Sequence, residues 1–276
     1  LQKTVYEHSR LYDLAFSYRD FKNEVSVFED WFEKFSKKSI KLNRVLELAA
    51  GPARHAIEFA HRGKSATALD YSSAMCRYAK LVAKEEGARI DVVEADMVSF
   101  RIKNEFELVI NAIDSLSHIT KVSDLVRHFR TVARHTVDGG IYIVEVSKLE
   151  DHKSNTKSEW NIKANGEDLH VKWDSGSPAA GSSQASTSMN RKSKPINSKA
   201  SKTSLVTIEI TDRTKNVSIS DSMRLRAWTK TEIDNAIARS EKFRVKAIFG
   251  AFDSNVKWSS KEAWRLIYVL QKRDDR

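Results

Sequence analysis

Five short apolar runs, each nearly continuous, recur through the first 150 residues: Arg44–Ala49, Ser65–Asp70, Ile90–Glu94, Phe106–Asn111 and Ile141–Val146. Apolar character without alternation marks strands buried on both faces. Helical patterns separate most of the runs, at Ala53–Arg62, Ser72–Glu86 and Ser117–His135. Strands spaced by helices restrict the fold to a parallel sheet joined by crossover helices. Gly63, Gly87 and the Gly139–Gly140 pair fall where helix-to-strand turns are expected.

The flanks read differently. Residues 5–20 and 21–37 have helical character, the second carrying Val25, Phe28, Phe32 and Phe35 at spacings of three and four. Residues 156–174 and 203–228 alternate in the manner of antiparallel strands. Between them, Ser175–Ser204 holds ten serines, five Lys/Arg and no acid. That segment has too little apolar surface to offset its ordering entropy, so a disordered loop is expected. A helix at Lys230–Ser240 and strands at Phe243–Phe249 and Glu262–Leu270 close the chain.

The net charge of +10 invites a nucleic-acid reading. Its distribution argues otherwise, because residues 1–150 contribute +1 and residues 151–276 contribute +9. The basic stretch Arg191–Lys202 contains no aromatic residue on which a base would stack. One cysteine, Cys76, excludes a disulfide framework and a cysteine-built zinc site. No apolar run reaches the length of a transmembrane helix, and the acidic first 30 residues argue against a targeting peptide. The expectation is a soluble chain in a reducing compartment, cytoplasmic by default, with no metal.

Chemistry concentrates in Val45-Leu46-Glu47-Leu48-Ala49-Ala50-Gly51-Pro52-Ala53-Arg54-His55-Ala56. A strand ends in an acid, a turn of small residues follows, and a helix begins. This arrangement seats a ligand over the carboxyl ends of parallel strands, with a backbone bare enough to approach it. Nineteen residues after Gly51, a second strand ends in Asp70, placed to accept from a ribose diol. A dinucleotide needs a small third residue where Arg54 stands, so that fit is poor.

The chain resembles the class I S-adenosylmethionine-dependent methyltransferases over nearly its whole length. Glu47-Leu48-Ala49-Ala50-Gly51 matches the family's first motif, with Ala49 at the first glycine. Asp70-Tyr71-Ser72-Ser73-Ala74-Met75 resembles the second, Glu94-Ala95-Asp96-Met97 the third, and Ile110–His118 the fourth. Gly139–Glu145 resembles the entry to the fifth strand. The resemblance implies an α/β, Rossmann-like, doubly wound, seven-stranded mostly parallel sheet, with an N-terminal helical cap (1–40) and an inserted antiparallel β arm (151–228, its loop at 175–204). The core would span 41–150, completed by 229–276.

The same resemblance implies S-adenosyl-L-methionine as cofactor, contacted by Glu47, Ala49, Gly51, Asp70, Tyr71, Met75, Asp96, Met97 and Asn111. Tyr12-Asp13-Leu14-Ala15-Phe16-Ser17-Tyr18-Arg19-Asp20 looks like the cap of the small-molecule branch, related to glycine and sugar-amine N-methyltransferases, and adds Tyr12 and Arg19. Asp114 and His118 are the candidate catalytic residues, orienting an acceptor or taking its proton. Structural roles compete: Asp70 can stabilise a helix start, Asp96 and Asp114 can cap turns, His118 can pack, and Met75 and Met97 can fill the core. The expected acceptor is a small molecule with an amine or hydroxyl. An RNA or protein methyltransferase using the basic arm, and a non-catalytic cofactor-binding protein, are the alternatives.

Overall fold

The computed structural model describes residues 4–148, 156–164, 166–175 and 203–274. Five parallel strands, β1 (Arg44–Leu48), β2 (Ser65–Asp70), β3 (Ile90–Glu94), β4 (Phe106–Asn111) and β5 (Thr136–Ser147), form the sheet anticipated from the apolar runs. β10 (Phe243–Phe249) and β11 (Arg265–Lys272) complete it in the order β10-β11-β5-β4-β1-β2-β3. β11 runs antiparallel to both its neighbours. The switch in strand order lies between β1 and β4, where open parallel sheets hold ligands.

Helices cover both faces. α2 (Phe21–Phe35) and α3 (Arg54–His61) bury Phe28, Trp31, Phe32, Ala56 and Phe59 against Val45, Ile110, Ile143 and Val269. α4 (Ser73–Glu85) adds Ala79 to that side. On the opposite face, α5 (Val122–Arg134) and α6 (Lys230–Ser240) pack Leu125, Phe129, Val132, Ile233 and Ile237 on Leu46, Val109, Tyr142 and Tyr268. The alternation of β1 side chains between the two faces explains why the run reads as continuously apolar.

The arm is a meander of β6 (Thr156–Ala164), β7 (Glu167–Ser175), β8 (Thr203–Asp212) and β9 (Val217–Arg226), each antiparallel to the next. Its inner face has a small core of its own. Leu169, Val171, Ile208 and Ile210 enclose Val5, Leu14 and Ala15 from a 3-10 turn (Val5–His8) and α1 (Ser9–Ala15). The expected cap therefore divides: residues up to α1 pack on the arm, and α2 packs on the sheet.

Several sequence-based boundaries shift. The helix expected at Ser117–His135 splits into a 3-10 turn, Ser115–His118, and α5. Ile119 between them is extended, as a β-branched residue tends to be. Gly139 and Gly140 lie inside β5 rather than before it. Gly139 has φ +79°, and a Cβ there would come within 2.6 Å of the Lys37 Cβ. The last strand starts at Arg265, three residues after the expected Glu262. Ser175, Thr203 and Ser204 belong to strands, and the rest of the expected disordered loop lies outside the described residues. No helix among the described residues is long and apolar enough to cross a membrane.

Candidate active site

The turn after β1 is built from left-handed residues: Ala49 (φ 50°), Gly51 (φ 50°) and Ala53 (φ 61°). Glycine accepts this conformation freely, whereas alanine pays about 1–2 kcal/mol. The substitution of Ala for glycine at position 49 is thus not neutral, because this position does require a positive φ. The turn is tied to β2, with the Ala50 N–H donating to the Leu69 carbonyl at 3.0 Å. Gly51 N–H donates to Asp70 Oδ2 at 2.7 Å, and Ser72 N–H donates to Asp70 Oδ1 at 2.8 Å. Burial pushes the Asp70 carboxyl up, and these backbone donors work against that rise.

A cavity of about 410 Å³ opens beside this turn. Tyr12, Ala49, Gly51, Asp70, Tyr71, Met75, Asp96 and Met97 all line it, so eight of the expected cofactor contacts meet in one place. Met75 is buried, and Tyr71 is 79% exposed at the rim. Asp96 also serves its structural alternative, since its Oδ1 accepts from Val98 N–H at 2.8 Å. A bare turn, a carboxylate nineteen residues on and apolar walls suit an adenosine carrying no phosphate.

A second cavity of about 550 Å³ adjoins the first. Tyr6, Tyr12, Ile113 and His118 line both and form the wall between them. Asp114, Trp160 and Trp173 line the second alone. His118 sits on the 3-10 turn, with its Nε2 3.1 Å from the Tyr6 hydroxyl. Burial pushes its pKa below the ordinary 6.5, with Asp114 opposing. A neutral imidazole is able to accept a proton. Asp114 Oδ1 accepts from Ser147 N–H at 2.9 Å. The return from the arm pins this turn: Trp228 Nε1–H donates to the Leu116 carbonyl (3.0 Å) and Arg226 to the Thr120 carbonyl (2.7 Å).

Three expected cofactor residues lie elsewhere. The buried Glu47 turns away from the cavity, its carboxylate accepting Ala56 N–H (2.8 Å) and meeting His55 Nδ1 (2.9 Å). Asn111 is 1% exposed and donates to the Leu48 carbonyl at 3.2 Å, bracing β4 against β1 behind the cavity wall. Arg19 lines the second cavity, not the first. It pairs with Glu24 (2.8 Å) and Glu145 (3.1 Å) while 5% exposed.

Glu47 and Arg19 belong to one chain of charges. Glu47, His55, Glu24, Arg19, Glu145 and Arg265 alternate in sign along it. Burial disfavours the His55 cation, but its bonds to Glu24 and Glu47 outweigh that and hold its pKa up to about 9. Burial likewise disfavours the Glu145 carboxylate, and Arg19 and Arg265 reverse the effect and lower its pKa. Each charge thus has a partner, which buried ions require. His128 supports the first cavity from behind. Its Nδ1–H donates to the Met97 carbonyl at 2.8 Å, which leaves Nε2 to accept from the Tyr142 hydroxyl at 2.7 Å. Burial pushes its pKa down to about 4. Glu24, His55, Glu145 and His128 carry no site role in the sequence reading, because only the folded chain shows which partners their side chains meet.

A family model described as a methyltransferase domain matches residues 45–140. No curated protein matches the sequence. Among solved structures, an S-adenosylmethionine-dependent methyltransferase from Clostridium acetobutylicum is similar at 17% identity and TM-score 0.75, covering 96% of this chain and 98% of its own. DesVI of Streptomyces venezuelae matches at 18% identity and TM-score 0.73, over 95% and 97% of the two chains. CalS10 of Micromonospora echinaspora, an amino pentose methyltransferase with S-adenosylmethionine bound, matches at 16% identity and TM-score 0.68, over 99% and 98%. With the model matched over residues 45–140 and the strand order on the page, the chain carries a methyltransferase domain and has the fold of these S-adenosylmethionine-dependent methyltransferases.

Proposed function

We propose that the chain transfers a methyl group to a small-molecule acceptor, an amine or hydroxyl compound, held in the second cavity. The observation that carries this reading is the shared wall: the two cavities meet at Tyr6, Tyr12, Ile113 and His118. The second cavity is of a size for a sugar-like or similarly compact molecule. CalS10 and the sugar N-methyltransferase KedS8, a structure with TM-score 0.68 and 17% identity, support a small amine-bearing acceptor by analogy.

Asp70 and the turn Ala49–Gly51 would hold the adenosine ribose, and Asp96 and Met75 the adenine. When bound, S-adenosylmethionine supplies an electrophilic methyl group on a positive sulfur. The chain's own residues position and deprotonate. Tyr12, Trp160 and Trp173 offer aromatic faces that exclude water, and Asp114 orients a donor group on the acceptor. His118, kept neutral by burial, takes the proton that an attacking amine or hydroxyl must shed. Orientation supplies much of the barrier reduction when the donor is already activated.

The test is a radiolabelled methyl-transfer screen with the full chain over small amines, phenols, RNA and protein. Transfer to a small amine or phenol, lost in Asp70→Ala, is the expected result. Transfer to RNA or protein alone would overturn the acceptor class.

A further inference from the structure

Ile113 and Asp114 adopt consecutive left-handed conformations, φ 56° and 55°. Aspartate tolerates this region, but a β-branched residue there is an outlier. Such a conformation persists only where its surroundings over-determine it, and it clusters at functional sites. Two contacts from β5 hold it here. Ile113 N–H donates to Glu145 Oε2 at 2.7 Å, and Ser147 N–H donates to Asp114 Oδ1 at 2.9 Å.

Glu145 is 1% exposed and does more than hold one amide. Its carboxylate also receives Arg19 at 3.1 Å and Arg265 at 2.9 Å. Arg265 belongs to the sheet, but Arg19 comes from the segment joining α1 to α2. That segment and the residues before it are fastened independently, by Trp160 Nε1–H to the Ala15 carbonyl (2.8 Å), by Val5 N–H to Asp221 (2.9 Å) and by the Arg54–Asp13 pair. The same stretch of chain supplies Tyr6 and Tyr12, two of the four residues of the wall.

We propose that Glu145 is a positioning residue that couples the strained Ile113–Asp114 turn to docking of the N-terminal segment through Arg19, so that the wall between the cavities assembles in one step. Docking brings Tyr6 and Tyr12 directly. It brings Ile113 and His118 through Glu145, because Arg19 binds Oε2, the carboxylate oxygen that also anchors the Ile113 amide. Without Arg19 the carboxylate keeps Arg265 alone, and the turn relaxes out of its left-handed form. The importance of this wall rests on the methyl-transfer reading; the coupling itself does not.

The experiment is amide hydrogen exchange on the full chain, resolved for residues 9–20, 111–118 and 44–70, together with calorimetric titration of S-adenosylhomocysteine. Glu145→Gln keeps the shape of the side chain but loses the negative charge that Arg19 and Arg265 share, leaving Arg19 to Glu24. The expected result is exchange at least tenfold faster over both 9–20 and 111–118, and normal protection over 44–70. Glu145→Ala should speed both 9–20 and 111–118 and weaken S-adenosylhomocysteine binding about tenfold. Adding Ile113→Gly to Glu145→Ala should restore protection at 111–118 and most of the affinity, because glycine needs no clamp to hold φ > 0. A purely structural role for Glu145 would not be rescued this way.

Unchanged exchange over 9–20 in Glu145→Gln overturns the proposal, as does an Ile113→Gly addition that restores nothing. If a variant loses protection over 44–70, the comparison passes to Arg19→Met, which must speed 9–20 and 111–118 together; independent behaviour of the two segments refutes the coupling. Failure of the parent chain to bind S-adenosylhomocysteine would defeat the proposed function, while the unliganded exchange data would still decide the coupling.

Discussion

His128 offers the sharpest quantitative test of the site's support. Its ring is fully buried, donating to the Met97 carbonyl and accepting from Tyr142, and the second of these bonds requires the neutral form. Burial lowers the pKa from 6.5 to about 4. As pH falls below 6.5 the unfolded chain takes up a proton that the folded chain refuses, so stability is lost. The loss continues until the folded chain also protonates near pH 4. A gap of about 2.5 pH units corresponds to about 3.4 kcal/mol in full, and to about 1.8 kcal/mol between pH 7 and pH 5. The perturbation is His128→Gln, which keeps polar groups for the neighbours and removes the titration. The assay is urea unfolding of both proteins at pH 7, 6 and 5. The variant should start less stable at pH 7 and lose less on acidification, the two curves converging by roughly 1–2 kcal/mol at pH 5. Curves that stay parallel within about 0.5 kcal/mol would show that the ring is not held neutral, and the argument from its buried bonds would fail.

Other outcomes follow from the same geometry. Asp70→Ala removes the acceptor for Gly51 N–H and Ser72 N–H and should weaken S-adenosylmethionine binding tenfold or more, on the order of a charge-assisted hydrogen bond; calorimetry giving an unchanged Kd would rule out the ribose assignment. Ala49→Gly relieves a left-handed alanine and, after the entropy of the added glycine, should raise stability by about 0.5–1 kcal/mol; a lower Tm would contradict strain at the turn. Gly139→Ala pushes a Cβ onto Lys37 at φ +79° and should cost about 1–3 kcal/mol in denaturant unfolding, with a neutral result refuting the close approach. Methyl transfer should decline on the acid side as His118 protonates below the ordinary 6.5, and His118→Asn should abolish that limb; an identical pH profile in the variant would remove His118 as proton acceptor.

The parallel sheet was legible because its evidence is local. Val45–Leu48 and Phe106–Asn111 are apolar but for Glu47, Glu107 and Asn111, and an acid such as Asp70 at a strand end announces the ligand edge. Seven residues that line the first cavity were legible for the same reason, each lying within a few residues of a strand terminus. The misplacements share another cause. Glu47 and Asn111 sit at the right depth in the sheet, but which way each side chain turns is decided by His55, Ala56 and Leu48. Arg19 meets a carboxylate 126 residues away, and no periodicity or motif encodes such a pairing. The left-handed pair at Ile113–Asp114 was hidden for a stronger reason. Isoleucine is among the last residues one would place there, so local preference pointed the wrong way.

The small hydrophobic core of the arm has an evolutionary consequence. Leu169, Val171, Ile208 and Ile210 close over Val5, Leu14 and Ala15 without sharing a side chain with the two layers that flank the main sheet. The half of the molecule that would choose the acceptor is thus stabilised separately from the half that would hold the donor. Substitutions that reshape the second cavity draw on the arm's own stability and leave the sheet's reserve intact. Selection is free to exchange one acceptor for another by rewriting the four arm strands, while Tyr6, Tyr12 and Asp13 stay tied to the donor side by the first cavity and by Arg54.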